Sequence, residues 1–261
     1  MKKGSYSLTR RDFFAIAGTT VSSLAISTSC RSVSSAIFKT GKITARPREG
    51  IQSTKTGRVV LDMNSNREAI LQLPNNVGPS PLPLLLMLHG ATQEPEDMFG
   101  YLGSVPDQTG VAILAPKSLD TTWDGISDRF GIDVEFLSQA LQKVFDSVQI
   151  DPARVAIGGF SDGATYAVSL GLINGDLFNS VVAFSPGFVV YGAPSGSPRF
   201  FISHGTRDHI LPIGRCGRRI ASDLKALGYE VTFREFDGDH EIPEAVAREG
   251  LTWVATARAQ S

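Results

Sequence analysis

Cysteine is nearly absent: Cys30 and Cys216 are the whole complement. A disulfide framework is therefore excluded, and once Cys30 is removed with a leader or lipidated no intramolecular bridge can form. An excess of one charge is missing too. Lys and Arg number 25 against 26 Asp and Glu, for a net charge of −1, and no basic stripe appears, so a nucleic-acid partner is not expected. No apolar run approaches the roughly 18–20 residues of a membrane-spanning helix. Histidines number only four, and no Cys/His/carboxylate cluster has metal-ligand spacing. The chain also lacks a G-x-G-x-x-G turn, a P-loop and any internal repeat, which leaves dinucleotide sites, phosphate cradles and solenoids without support. What remains is 42% hydrophobic and 20% charged, the balance of a soluble globular protein with room for one α/β domain.

The first residues read as an export leader. Lys2, Lys3, Arg10 and Arg11 form a basic head, and "TRRDFFAIAG" sets a twin arginine before a short, weakly apolar stretch from Phe13 to Ile26. Residues 1–36 are therefore expected to be a signal of the twin-arginine type. Two endings stay open. Cys30 closes "AISTSC" and offers a lipidation site, although an aliphatic residue stands four rather than three positions before it; lipidation would anchor the chain in a membrane. "SSA", Ser34 to Ala36, offers an ordinary cleavage site instead. Either way the expected location is periplasmic or envelope-attached. Residues 37–56, rich in Ser, Thr, Lys and Arg and without periodicity, read as a linker, and 57–261 as one domain.

Within that domain "RVVLDM" and "EAILQL" predict two short strands that could form an antiparallel edge. "LPLLLMLHG", Leu82 to Gly90, is too short for a buried helix and predicts a strand covered on both faces. "GVAILAP", "DPARVAIGGF", "NSVVAFSP", "RFFISHG" and "YEVTFREF" predict further strands. Helices are predicted near Pro95 to Leu102, over Val134 to Val148, from just after Ser161 to about Ile173, over Arg215 to Leu227 with Gly228 as its stop, and over Pro243 to Ala257. Strands alternating with helices imply a mostly parallel sheet with helices on both faces. Sites in such sheets gather at the carboxyl ends of the strands.

"VAIGGFSDGA", Val155 to Ala164, places Ser161 in the pattern G-x-S-x-G after a buried strand and before a helix, the context of a nucleophile elbow. The bare alternative is a helix-capping serine in a plain turn. A serine hydroxyl needs a base, and His240 in "FDGDHEIP" lies after the last strand, where the order Ser, acid, His places it. Asp208 in "HGTRDHILP" follows the preceding strand and is the expected acid, its role being to fix the imidazole tautomer. Asp237 and Asp239 share His240's own loop, and Asp176 follows a helix. His209 sits beside Asp208 itself. The expected oxyanion donors are the backbone N–H groups of Asp162, just after the serine, and of Ala91 in "LHGAT". His89 is expected to brace that loop. Trp123, in "TTWDG" after a strand, either lines a substrate pocket or covers the core.

In that order, "LLLMLHG", "VAIGGFSDGA", "ISHGTRDHILP" and "FDGDHEIP" resemble the α/β-hydrolase superfamily, and within it the compact phospholipase/carboxylesterase branch of small bacterial serine esterases. The resemblance spans roughly residues 57–258. It implies an α/β-hydrolase fold, a serine carboxylesterase working through an acyl-enzyme, and no cofactor, and the short distances between strands leave room for little or no lid. It also implies that Ser161, Asp208 and His240 are the triad and that the partner is a small or polymeric ester. Phospholipase-like, poly(hydroxyalkanoate) depolymerase-like or peptidase action on the same triad, or a catalytically silent envelope binding lipoprotein, are the alternatives. One departure stands out: the branch often has Gln and Gly where this chain has Asp162 and Ala164. A carboxylate at 162 adds negative charge beside the pocket and argues against anionic substrates.

Overall fold

A computed structural model describes residues 40–49, 56–75, 78, 80–127 and 129–256. Arg10, Arg11 and Cys30, on which the leader reading rests, lie outside the described residues. Eight strands form one sheet: β1 (Gly57–Val60), β2 (Ala69–Leu73), β3 (Leu82–Leu88), β4 (Ala112–Pro116), β5 (Ile150–Phe160), β6 (Ser180–Phe184), β7 (Arg199–Gly205) and β8 (Val231–Phe236). Their spatial order is β1-β2-β4-β3-β5-β6-β7-β8. The pairs β1–β2 and β2–β4 are antiparallel, which confirms the expected antiparallel edge. The six remaining strands run parallel, so all present their carboxyl ends at the same edge.

The apolar runs explain the layering. Every residue of β3 and β4 is buried, as strands covered on both faces must be. On one face lie α1 (Pro95–Leu102), α2 (Val105–Thr109) and α7 (Glu244–Ala255), burying Met98, Phe99, Leu102, Val246 and Leu251 against Leu85, Met87 and Val182. On the other lie α3 (Asp124–Ser127), α4 (Ile132–Ser147), α5 (Asp162–Ile173) and α6 (Gly217–Ala226), packed over Leu84, Leu86, Ile157 and Val181. From Gly163 to Ile173, α5 is buried throughout, because it is wedged between the sheet and its neighbours. Short α2 and α3 were not legible as helices in the sequence. Among the described residues no helix is long and apolar enough to cross a membrane.

Part of the expected linker is instead docked. Ile43 and Ala45 are buried. The Asn174 side chain accepts from Ile43 N–H (2.8 Å) and donates to Gly41 O (2.9 Å), while Asp176 pairs with Lys42 and Arg46. Two apolar side chains and a satisfied amide hold these residues as a strap across α4 and α5.

Candidate active site

Ser161 occupies the turn between β5 and α5 at φ 55°, ψ −119°, a backbone region costly for a side-chain-bearing residue. Two bonds hold it there: its N–H donates to Phe184 O (3.0 Å) and its carbonyl accepts from Thr165 N–H (3.0 Å). The flanking glycines are a steric necessity. A Cβ at Gly163 would lie 2.1 Å from Leu88 O and 2.5 Å from His89 O, and one at Gly159 would lie 2.4 Å from the Gly163 carbonyl carbon. The turn is therefore pressed against the end of β3, and this brings the loop after β3 to the serine: a Cβ on Gly90 would lie 3.3 Å from Ser161 Cβ.

That loop is braced by His89 from the inside. The buried His89 Nε2 accepts from Ser118 N–H (3.0 Å), so Nδ1 carries the proton and donates to Gly90 O (2.8 Å). Its backbone carbonyl accepts from Trp123 Nε1 (2.9 Å). Trp123 itself is wholly buried, stacked on Tyr166 at 5.5 Å and tilted against His89 at 4.9 Å. The expected place of Trp123 in a substrate pocket is thus corrected to the core: no part of the ring reaches solvent, and the indole N–H is spent on the loop. The N–H groups of Ala91 and Asp162 donate to no group among the described residues, which leaves two backbone donors free on either side of Ser161. The Asp162 carboxylate is tied sideways, accepting from Thr122 Oγ1 (2.7 Å).

Burial, as the largest effect, holds the His89 pKa below the ordinary value and does the same for His204. A base with a depressed folded pKa binds fewer protons folded than unfolded, so its stabilising contribution is complete above the unfolded value of about 6.5 and is lost as pH falls toward the folded pKa. Thermal unfolding between pH 7.5 and 5 should therefore show Tm falling with pH. The slope should flatten in His89→Asn; an unchanged slope would remove His89 from the account.

The acid and base meet at the other side of the turn. Asp208, buried, accepts from Ile210 N–H (3.0 Å) and Leu211 N–H (2.7 Å) on Oδ1, and from His240 Nδ1 (2.7 Å) on Oδ2. His240 lies against Phe160, ring centroids 4.7 Å apart, one residue before Ser161. The rejected rivals turn out to hold these two loops together. Asp237 pairs with Arg207, Asp239 pairs with His209 (2.8 Å) and caps the His240 N–H (2.8 Å), and Arg207 N–H donates to Gly238 O (2.9 Å). Asp176 serves the strap. Sequence reasoning missed His204. Its Nε2 donates to Leu211 O (2.6 Å) and stands 3.1 Å from Asp208 Oδ2, while its buried Nδ1 has no partner. Its place four residues before Asp208 was the available signal. Among the described residues no group of three or more His, Cys, Asp or Glu is placed to hold a metal ion.

A mostly parallel sheet with a serine elbow after its central strand, and an Asp–His pair from its last two strands, defines an α/β-hydrolase. Solved structures agree on the fold. An S-formylglutathione hydrolase from Staphylococcus aureus superposes with a TM-score of 0.63 at 17% identity, covering 82% of this chain and 100% of that one. The Bacillus cereus carboxylesterase gives 0.57 at 18% identity, covering 73% and 94%. The phospholipase/carboxylesterase family model matches residues 116–255, and the chain belongs to that family. Among curated relatives, a bifunctional acetylxylan esterase/xylanase of Neocallimastix patriciarum is 28% identical over 159 residues, 58% of this chain and 22% of that protein. Acyl-protein thioesterase 1 of Emericella nidulans is 31% identical over 97 residues, 33% of this chain and 40% of that one. The chain thus spans less than half the length of either relative.

Proposed function

We propose that the protein is an exported serine carboxylesterase acting on small-molecule esters. The observation that carries this is the Asp208–His240 hydrogen bond of 2.7 Å, set beside a serine held in a strained elbow. Ser161 Oγ attacks the ester carbonyl as His240 Nε2 takes its proton. Asp208 fixes the Nδ1–H tautomer and stabilises the imidazolium. The Ala91 and Asp162 N–H groups receive the oxyanion, and the N-terminus of α5 adds a favourable dipole. Collapse expels the alcohol, protonated by His240, and leaves an acyl-Ser161. Water, deprotonated by His240, then attacks the acyl carbonyl and releases the acid.

A fluorophosphonate probe tests the nucleophile directly: the folded protein should be labelled, with the added mass on the peptide containing Ser161. Folded protein that stays unlabelled would overturn the reading. Export rests on Arg10, Arg11 and the weak apolar stretch after them, and the mass of the mature N-terminus checks it, including acylation at Cys30.

A further inference from the structure

Of seven exposed large apolar side chains among the described residues, four stand on connections that leave the carboxyl ends of strands: Leu119 after β4, Phe188 and Tyr191 after β6, and Ile210 after β7. Apolar groups left in water at the catalytic edge are what a substrate-binding rim requires. Phe188 and Ile210 flank one spot. Gly187 N–H donates to Thr165 Oγ1 (2.9 Å), one turn of α5 from Ser161. A Cβ on Gly187 would lie 3.4 Å from Leu211 Cδ2, and Leu211 N–H is one of the donors to Asp208. Gly187 thus packs between the first turn of α5 and the loop that carries Asp208.

Gly187 also lines a cavity of about 200 Å³, walled by Gly187, Phe188 and Tyr191 from the connection after β6 and by Arg215, Arg219 and Asp223 from α6 and the turn before it. Its charge is not balanced. Arg219 stands 3.7 Å from Asp223, which cancels that pair. Arg207 and Arg218, the nearest other cations in sequence, are committed to Asp237 and Glu235. Arg215 has no carboxylate within ion-pair distance among the described residues. Its backbone N–H donates to Pro212 O (3.0 Å), which sets it just past Leu211, at the end of the cavity wall joined to the Asp208 loop. An unpaired guanidinium with an aromatic wall is suited to a carboxylate at the end of an apolar arm.

The carboxylate next to the nucleophile is fastened on the opposite flank. Asp162 is fastened to Thr122 in the connection after β4, on the far side of Ser161 from β6 and β7. That carboxylate is therefore held away from the side on which Arg215 lies, where the acids are themselves paired: Asp208 with His240, Asp237 with Arg207, Asp239 with His209 and Glu235 with Arg218. An arm directed from Ser161 toward Arg215 leads away from the Asp162 carboxylate.

We propose that the preferred ester carries an anionic group, a carboxylate or its equivalent, on an apolar arm that runs from Ser161 over Ile210 and Phe188 to Arg215. This rests on the esterase reading above and names its substrate class. Two ester pairs test it. 4-Nitrophenyl hydrogen glutarate against 4-nitrophenyl pentanoate places the anion on the acyl side; 3-acetoxybenzoate against 3-acetoxybenzamide places it on the alcohol side. The folded wild type should favour the anionic member about tenfold in kcat/KM in one of the pairs, and the preference should shrink as salt rises. Arg215→Gln should bring the ratio of anionic to neutral turnover close to one, and Arg215→Glu should invert it, both variants being checked for an unchanged melting transition. A wild type indifferent to charge in both pairs, or a preference that survives Arg215→Glu, overturns the proposal while the neutral esters still report an esterase. Failure to cleave the neutral esters as well would instead sink the esterase reading itself, and this inference with it.

Discussion

Ser161→Ala should lower ester kcat by about five to six orders of magnitude while the protein stays folded. The hydroxyl is the only nucleophile at the turn, so its loss removes the acyl-enzyme route entirely; what survives is the roughly 10³–10⁴-fold help that oxyanion donors and binding give to attack by water. The fold should be indifferent to the change, because the two bonds that hold the turn, to Phe184 O and from Thr165 N–H, use the Ser161 backbone alone. Alanine also carries a Cβ, so the strained φ of 55° is neither relieved nor worsened. Initial rates on a 4-nitrophenyl ester, run beside a thermal melt, decide it. Ester turnover within tenfold of the wild type would place the nucleophile elsewhere in the molecule.

The second large effect is on folding. Gly163→Ala adds one methyl group where Leu88 O would be 2.1 Å away and His89 O 2.5 Å away. Neither obstacle is a flexible side-chain tip. Leu88 is hydrogen-bonded in the sheet through its register with Gly159, and His89 O is held by the Trp123 indole. Relief therefore requires the end of β3 to move away from α5, carrying Gly90 and Ala91 with it. The expected loss is about 3 kcal/mol or more, read as a lower denaturation midpoint at unchanged slope. Any folded fraction should show reduced kcat, since Ala91 N–H moves with the strand. Gly100→Ala is the control: nothing lies within 4 Å of a Cβ there, and alanine is the better residue inside a helix.

The parts legible in the sequence are those set by local pattern. The run from Leu82 to Leu88 is apolar because both its faces are covered, and Gly159-Phe160-Ser161-Asp162-Gly163 announces a turn that only glycines allow. The order of Ser161, Asp208 and His240 follows from each lying just past a strand of a parallel sheet. Legibility stopped where burial depends on distant partners. Ile43 looks like a linker residue until Asn174, more than a hundred positions away, is folded against it. Trp123 had equal claims on pocket and core, and the choice was made by Tyr166 and His89, on other elements. Asp237, Asp239 and His209 are poorly placed for catalysis by their spacing from His240 and Asp208, but their use as fasteners between two loops shows only with both loops in place. His204 was hidden because a histidine before a glycine at a strand end describes His89 equally well, and its spacing of four residues from Asp208 becomes a contact only when the turn after β7 folds back.

The strap sits away from the nucleophile. Gly41 is bonded to Asn174, which follows the last turn of α5, whereas Ser161 precedes its first. At about 1.5 Å per helical residue, the two ends of α5 are roughly 20 Å apart. The strap is thus fastened at the end of α5 opposite the nucleophile. Changes to the strap should therefore reach stability through α4 and α5 without touching the turn that holds Ser161.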